Sequence, residues 1–235
     1  MNPTQASFPS YSCCFEKTGS IRFITHLDLT RTFHRAFARA GIPLKFSEGF
    51  TPHPKFSFAL PLSVGTESLC EWASFTLCED CFSDTEALKE VLQRQMPEGI
   101  RIRRILPQTR KLSEIAFCSY DVFLPAASPA LIPAIQTALK GELTVQKKNK
   151  KGKIVEKNLS PGMQSVSVSE RDGGIFLQAV LSAAGEEYLK PEALLQALAE
   201  QLPSLDQGRK RILRTQVYSA DMTAFYDNQN QSLKG

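Results

Sequence analysis

All three histidines of the chain, His26, His34 and His53, lie between Thr25 and Gly65, together with Arg31, Arg35, Arg39, Lys45, Lys55 and the rings of Phe46, Phe50, Phe56 and Phe58. Imidazole exchanges a proton readily near neutral pH, because its ordinary pKa is about 6.5. Ammonium and guanidinium groups neutralise phosphate oxygens, and an aromatic face can stack on an unpaired base. The set suits two chemistries. One is binding of a structured RNA. The other is metal-independent RNA cleavage, with a histidine as general acid or base and a lysine stabilising the cyclising phosphate. His53 is the candidate catalytic residue, because Pro52 and Pro54 fix their own φ angles and push Thr51 and His53 into extended conformations. Gly49 is expected in a backbone conformation that a side chain would forbid. The phenylalanines of this loop either anchor it to a core or offer faces to a planar ligand. His26 falls in a first helical turn and His34 beside the apolar Phe33, where structural roles are expected.

A second cationic feature is Lys147-Lys148-Asn149-Lys150-Lys151-Gly152-Lys153, with five lysines in seven residues. Such a cluster repels itself unless an anion neutralises it, which points to phosphate contact. Lysines also protect exposed strand edges, so a merely solvated hairpin tip is the competing reading. The six cysteines are too irregular for a disulfide scaffold. Cys78-Glu79-Asp80-Cys81 has the spacing of half a zinc site, but no second half follows, and the two acids between the thiols would raise thiol pKa. No metal or other cofactor is expected, and no glycine motif of the phosphate-cradling kind is present.

These residues need elements to hold them. Thr25 with Asp28 reads as a capping box that opens a helix, and Gly41 and Pro43 stop it. Within it Leu29, Phe33, Ala36, Phe37 and Ala40 form the inward face, while Arg31, Arg35 and Arg39 form a cationic stripe without a matching acidic row. Strands are expected over residues 11–24, broken near Gly19, then over 55–60, 69–77 and 100–106. A second helix is expected to be capped by Ser83 with Glu86. Trp72 reads as core. The order strand, helix, strand, strand, helix, strand gives an α+β fold of the ferredoxin-like kind, with Arg101 and Arg103 on the face away from the helices. After a polar linker over residues 107–114 the pattern restarts. Strands at 115–124, 164–170, 175–183 and 209–219 and helices opened by Ser128-Pro129 and by Pro191 make a second such unit, carrying the lysine-tipped hairpin as an insertion. The expected organisation is therefore two tandem ferredoxin-like units with antiparallel sheets, residues 8–107 and 115–219, and a flexible tail over 220–235.

Several short motifs carry a family resemblance. Arg22-Phe23, Thr25-His26-Leu27-Asp28, Arg31, Ala40-Gly41-Ile42-Pro43, Ser47-Glu48-Gly49-Phe50-Thr51-Pro52-His53-Pro54 and Pro61-Leu62-Ser63-Val64-Gly65 resemble the signature of the radical-SAM-linked protein family, a bacterial domain of unknown function. Lys190-Pro191-Glu192 and Arg214-Thr215-Gln216-Val217-Tyr218 extend the likeness over most of the chain. The resemblance implies a radical-SAM protein as partner. The chain lacks the three closely spaced cysteines of a radical-SAM cluster, so it reads as the non-catalytic companion.

Composition sets outer limits. With 235 residues, 42% of them hydrophobic, the chain can bury a core, and a net charge of +4 requires any basic surface to be local. No basic-then-apolar leader or membrane-length apolar run occurs, so a cytoplasmic protein without membrane partners is expected. The functional expectation is an RNA-binding or substrate-presenting accessory of a radical-SAM enzyme acting on tRNA or rRNA, with an endoribonuclease as the alternative. The contact residues expected for RNA or partner are Arg22, His26, Arg31, Arg35, Lys45, Phe50, His53 and Lys55, with Lys147, Lys148, Lys150 and Lys151 as a second surface.

Overall fold

The computed structural model describes residues 8–79, 82, 84–148, 152 and 154–226. The chain is α+β with mostly antiparallel strands, and it divides into two compact units, Met1–Glu114 and Ile115–Gly235.

In the first unit the elements run β1 (Ser10–Lys17), α1 (His26–Arg39), β2 (Phe56–Phe58), β3 (Thr66–Thr76), α2 (Thr85–Gln93) and β4 (Ile100–Pro107). β1 pairs antiparallel with β3 on one side and β4 on the other, and β2 pairs with the end of β3 over Ala73–Phe75. Cys13 and Phe15 of β1 and Ala73 and Phe75 of β3 alternate onto the face covered by α1 and α2. There Leu29, Phe33, Ala36 and Phe37 meet them, as the helical spacing requires. Phe33 lies within 4.9–5.4 Å of the rings of Phe15, Phe56 and Phe58. Such ring pairs add roughly 0.5–1.5 kcal/mol each beyond area burial. The two phenylalanines of β2 therefore anchor the chain that follows the His53 loop.

Three local expectations need correction. Residues 19–23 form a 3-10 turn rather than a continuation of β1, because Gly19 has φ +71° and its amide donates to Glu67 Oε1 at 2.7 Å. The strand expected over 55–60 is only three residues long: it pairs with Phe75 to Ala73 of β3, and beyond it the Ala59 amide still donates to the Trp72 carbonyl at 2.8 Å. The cap of α2 is Asp84, whose carboxylate accepts from the Ala87 amide at 2.7 Å. Ser83, the expected cap, lies outside the described residues.

The second unit repeats the order with an insertion: β5 (Phe117–Leu124), α3 (Ile132–Lys140), β6 (Thr144–Lys148), β7 (Ile154–Asn158), β8 (Met163–Arg171), β9 (Gly174–Ser182), α4 (Pro191–Gln201) and β10 (Arg211–Tyr218). β5 sits between β10 and β9, with β8 outside β9, all antiparallel, while β6 and β7 form their own hairpin. Asp172 and Gly173, both at positive φ, make the tight turn between β8 and β9. Arg214 of β10 is buried and donates from Nε to Oη of its cross-strand partner Tyr120 at 3.2 Å. Burial pushes the Tyr120 phenol well above its ordinary value, with Arg214 partly opposing it. Of that motif segment Arg214 and Val217 are thus interior, and Thr215, Gln216 and Tyr218 are half-buried. No helix among the described residues is long and apolar enough to cross a membrane.

Candidate functional site

The His53 loop is a closed lasso. Lys45 accepts at its carbonyl from the Lys55 amide (2.7 Å), Phe46 bridges to Pro54, and the Ser47 amide donates to the His53 carbonyl (2.8 Å). Its base is tied to β3, because the Lys45 amide donates to the Thr76 carbonyl and the Thr76 amide to the Lys55 carbonyl. In such a ladder side chains alternate, so Lys45, Ser47, His53 and Lys55 share one side while Phe46 and Pro54 occupy the other.

The closing contact is between side chains. Ser47 Oγ lies 2.9 Å from His53 Nδ1 and accepts from the His53 amide at 3.2 Å, so the hydroxyl clasps both the ring and its own backbone. Between the clasp ends runs Glu48-Gly49-Phe50-Thr51-Pro52, exposed throughout. Gly49 has φ +120°, a value that L side chains avoid. The phenylalanines divide: Phe56 and Phe58 pack on α1, while Phe46 is 52% exposed and Phe50 fully so. Lys45 Nζ rests 3.1 Å from the centre of the Phe8 ring, and Lys55 is exposed.

The other expected residues of this unit lie elsewhere. β3 runs from Thr66, near the turn that carries Arg22, to Thr76 at the lasso. At about 3.3 Å per residue its ends are roughly 30 Å apart, so Arg22 and His53 do not belong to one small-molecule pocket. Arg22 pairs with Glu67 at 3.7 Å and lies over the Phe23 ring. His26 rests edge-on against Phe58 at 5.4 Å. Along α1, the cationic stripe is less free than its spacing implies. Arg31 bonds Asp28 at 3.0 Å, and Arg39 donates to the Gln95 carbonyl at 2.5 Å. Asp28 does not reach back to the Thr25 amide as a capping box would; it accepts instead from the Thr25 hydroxyl at 2.7 Å. That bond, followed by the one from Arg31, holds the Asp28 carboxyl below its ordinary range. Arg35 is exposed. Lys147 and Lys148 fall in β6, while Lys150 and Lys151 lie outside the described residues.

Two features escaped the sequence reading. The first is Ser47, whose only signal is its place six residues before His53 in a loop that must close. The second is a pair of buried, oppositely charged residues, Lys17 and Glu71, on the helix-covered face near the 3-10 turn. Lys17 Nζ donates to the Arg22 carbonyl at 3.4 Å, so Lys17 helps hold the turn that carries Arg22 and Phe23.

The helix-free face of the first sheet is not an open platform. Ser12, Cys14 and Trp72 alternate onto it, and all three are buried, at 0%, 6% and 4% exposure. Burial raises the Cys14 thiol to about 12, against only partial relief from Arg104. A thiol so placed is not a nucleophile at neutral pH. Among the described residues no group of three His, Cys, Asp or Glu side chains is arranged to hold a metal ion. Cys78 is exposed, and Cys81 lies outside the described residues.

Comparison with known proteins places the chain without assigning it a reaction. A search of curated proteins finds no match. Among solved structures the chain is similar to one described as the crystal structure of an unknown protein from Galdieria sulphuraria. The identity is 12%, covering 88% of this chain and 96% of that one, with a TM-score of 0.26, too low to bear on fold or site. A family profile described as "Uncharacterized protein conserved in bacteria" (DUF2344) matches residues 11–204, which include the whole lasso, both clasp residues and α1. The chain belongs to this family.

Proposed function

We propose that the protein is an RNA-binding, substrate-presenting partner of a radical-SAM enzyme, built from two tandem ferredoxin-like units. The fold part of this reading is supported by the element order, strand, helix, strand, strand, helix, strand, in each unit. The central strands lie where that fold puts them, with β1 between β3 and β4 and β5 between β9 and β10. The radical-SAM partner comes from the resemblance of the Ser47 to Pro54 and Pro61 to Gly65 motifs.

The observation that carries the RNA part is the lasso, which sets Lys45, His53 and Lys55 on one side of a preformed ladder and leaves Phe50 in open water at its tip. Cations position a phosphate backbone and exposed rings stack on bases, so both halves of an RNA contact are available there. A presenting protein also needs a surface for its partner. The other end of β3 supplies exposed apolar groups: Phe23 and Val64 are 60% and 57% exposed, with Gly65 beside the Phe23 ring, and Leu27 in the first turn of α1 is 58% exposed. Exposed apolar groups of this kind suit a protein contact.

Binding of a folded tRNA or an rRNA fragment across a salt series tests the RNA half. The slope of log affinity against log salt is expected to be negative, by about 0.7–0.9 for each phosphate neutralised. Absence of binding at low salt, or affinity indifferent to salt, contradicts the reading. The partner half is tested by co-purification with the radical-SAM protein, where Leu27→Asp is expected to abolish capture and leave RNA binding intact.

The Ser47 clasp also favours a second reading, endoribonuclease action, since an aimed imidazole is what a general acid or base needs. Incubation of small RNAs in EDTA separates the two. Discrete cuts lost in His53→Ala support the nuclease; uncut RNA supports the accessory role.

A further inference from the structure

Phe50 has no role in holding the fold together. Its ring is fully exposed at the tip of a loop whose base is fixed by the ladder and by the Ser47 clasp. The clasp also meets the neighbouring imidazole at Nδ1. Ser47 Oγ accepts the His53 amide at 3.2 Å and lies 2.9 Å from Nδ1, a shorter contact than the 3.4 Å from Nδ1 to the Thr51 carbonyl; which of these bonds Nδ1 makes depends on the ring tautomer. In the tautomer whose Nδ1 accepts from the Ser47 hydroxyl, the ring hydrogen sits on Nε2, on the side of the ring away from the clasp, as a donor. Lys55 and Lys45 share that side of the ladder, and the one carboxylate between them, Glu48, is on the exposed tip.

We infer that the lasso is a seat for an unpaired nucleotide of single-stranded RNA. Phe50 stacks on the splayed base, while His53 Nε2–H and the Lys55 ammonium take oxygens of the adjoining phosphates. Ser47 is the positioning residue that keeps His53 in its outward-donating form. A paired base has both faces covered by its neighbours, and the deep, narrow major groove of an RNA duplex closes to side chains. A single ring on a five-residue tip can therefore stack only on a base that is already unpaired. With Ser12, Cys14 and Trp72 buried, the centre of the sheet face on which RNA-reading folds often stack bases offers no open ring, whereas the loop offers Phe50. This inference rests on the RNA reading above and names the form of RNA that the site takes.

The test is fluorescence anisotropy with a short labelled RNA, presented alone and annealed to its complement, at low and physiological salt. The single strand is expected to bind more tightly than the duplex. Phe50→Ala is expected to weaken the single strand by about tenfold, in the range of one lost base stack, and to leave the duplex unchanged. Ser47→Ala is expected to weaken the single strand, and Ser47→Thr to restore it, with unchanged circular dichroism for each variant. Replacing Lys147, Lys148, Lys150 and Lys151 should lower both affinities together. If Phe50→Ala and Ser47→Ala bind the single strand as the wild type does, the seat is overturned while RNA binding stands. If the wild-type chain binds neither RNA, the seat falls together with the reading on which it rests.

Discussion

Two imidazoles of the first unit meet opposite surroundings. His53 stands in the open with its Nδ1 held by Ser47, whereas His34 Nε2 is buried without a hydrogen-bond partner among the described residues and packs edge-on to Phe56 at 5.5 Å. Desolvation lowers the His34 pKa, so the folded state favours its neutral form. Between the unfolded value of about 6.5 and the lower folded value, the unfolded chain binds more protons. The stability contributed by neutral His34 is therefore present above about pH 6.5 and is lost as the pH falls through the folded value. Urea midpoints at pH 7.5 and 5 are expected to fall on acidification for the wild type and to fall less for His34→Gln; equal slopes would place the proton uptake elsewhere. The sequence made His34 legible as a structural residue, because Phe33 and Phe37 beside it repeat with the helix. It did not make the clasp legible. Whether a hydroxyl meets an imidazole six residues away depends on the register of the ladder, and that register is set by β3 and not by the loop's own residues.

At the scale of the elements, the helices were legible because apolar residues at helical spacing leave few alternatives, and the long strands because they alternate. The 3-10 turn at residues 19–23 was not. Its cause lies in Glu67 and Gly99, which are distant in sequence, with the Thr18 amide donating to the Gly99 carbonyl at 2.9 Å. Gly99 has φ +86°, and a Cβ there would come within 2.7 Å of Ile21 Cγ2. Gly99→Ala is accordingly expected to destabilise the first unit by more than the roughly 1 kcal/mol of a simple propensity change. The cap at Asp84 gives a milder case, with about 1 kcal/mol lost in Asp84→Ala. The aromatic cluster gives the severest. Phe33→Ala removes a fully buried ring from among Phe15, Phe56 and Phe58 and is expected to cost about 3–5 kcal/mol. Denaturation should rank Phe33→Ala as the most destabilised, then Gly99→Ala, then Asp84→Ala; a Phe33→Ala protein as stable as the wild type would show that β2 is not held as described. Since β2 anchors the lasso, loss of lasso-dependent binding is expected to accompany loss of stability in Phe33→Ala and not in Phe50→Ala.

At the scale of the whole molecule, a net charge of +4 is too small to make the chain a general polyanion binder. Local arrangement decides. Among the expected contact residues, Lys45, His53 and Lys55 share one side of the lasso, Arg22 lies toward the other end of the unit, His26 packs on Phe58 of β2, and Arg31 is engaged by Asp28. The sequence could announce the residue types but not this sorting, because spacing along a chain does not give distance along a sheet. Photo-crosslinking of the wild-type protein to a uridine-substituted single-stranded RNA, followed by identification of the crosslinked peptide, tests the account most directly. The expected attachment is within residues 45–55, at Phe50 or beside it, and it should disappear in Phe50→Ala. Crosslinks confined to the second unit, or undiminished in Phe50→Ala, would contradict the assignment of the lasso as the RNA-contacting surface.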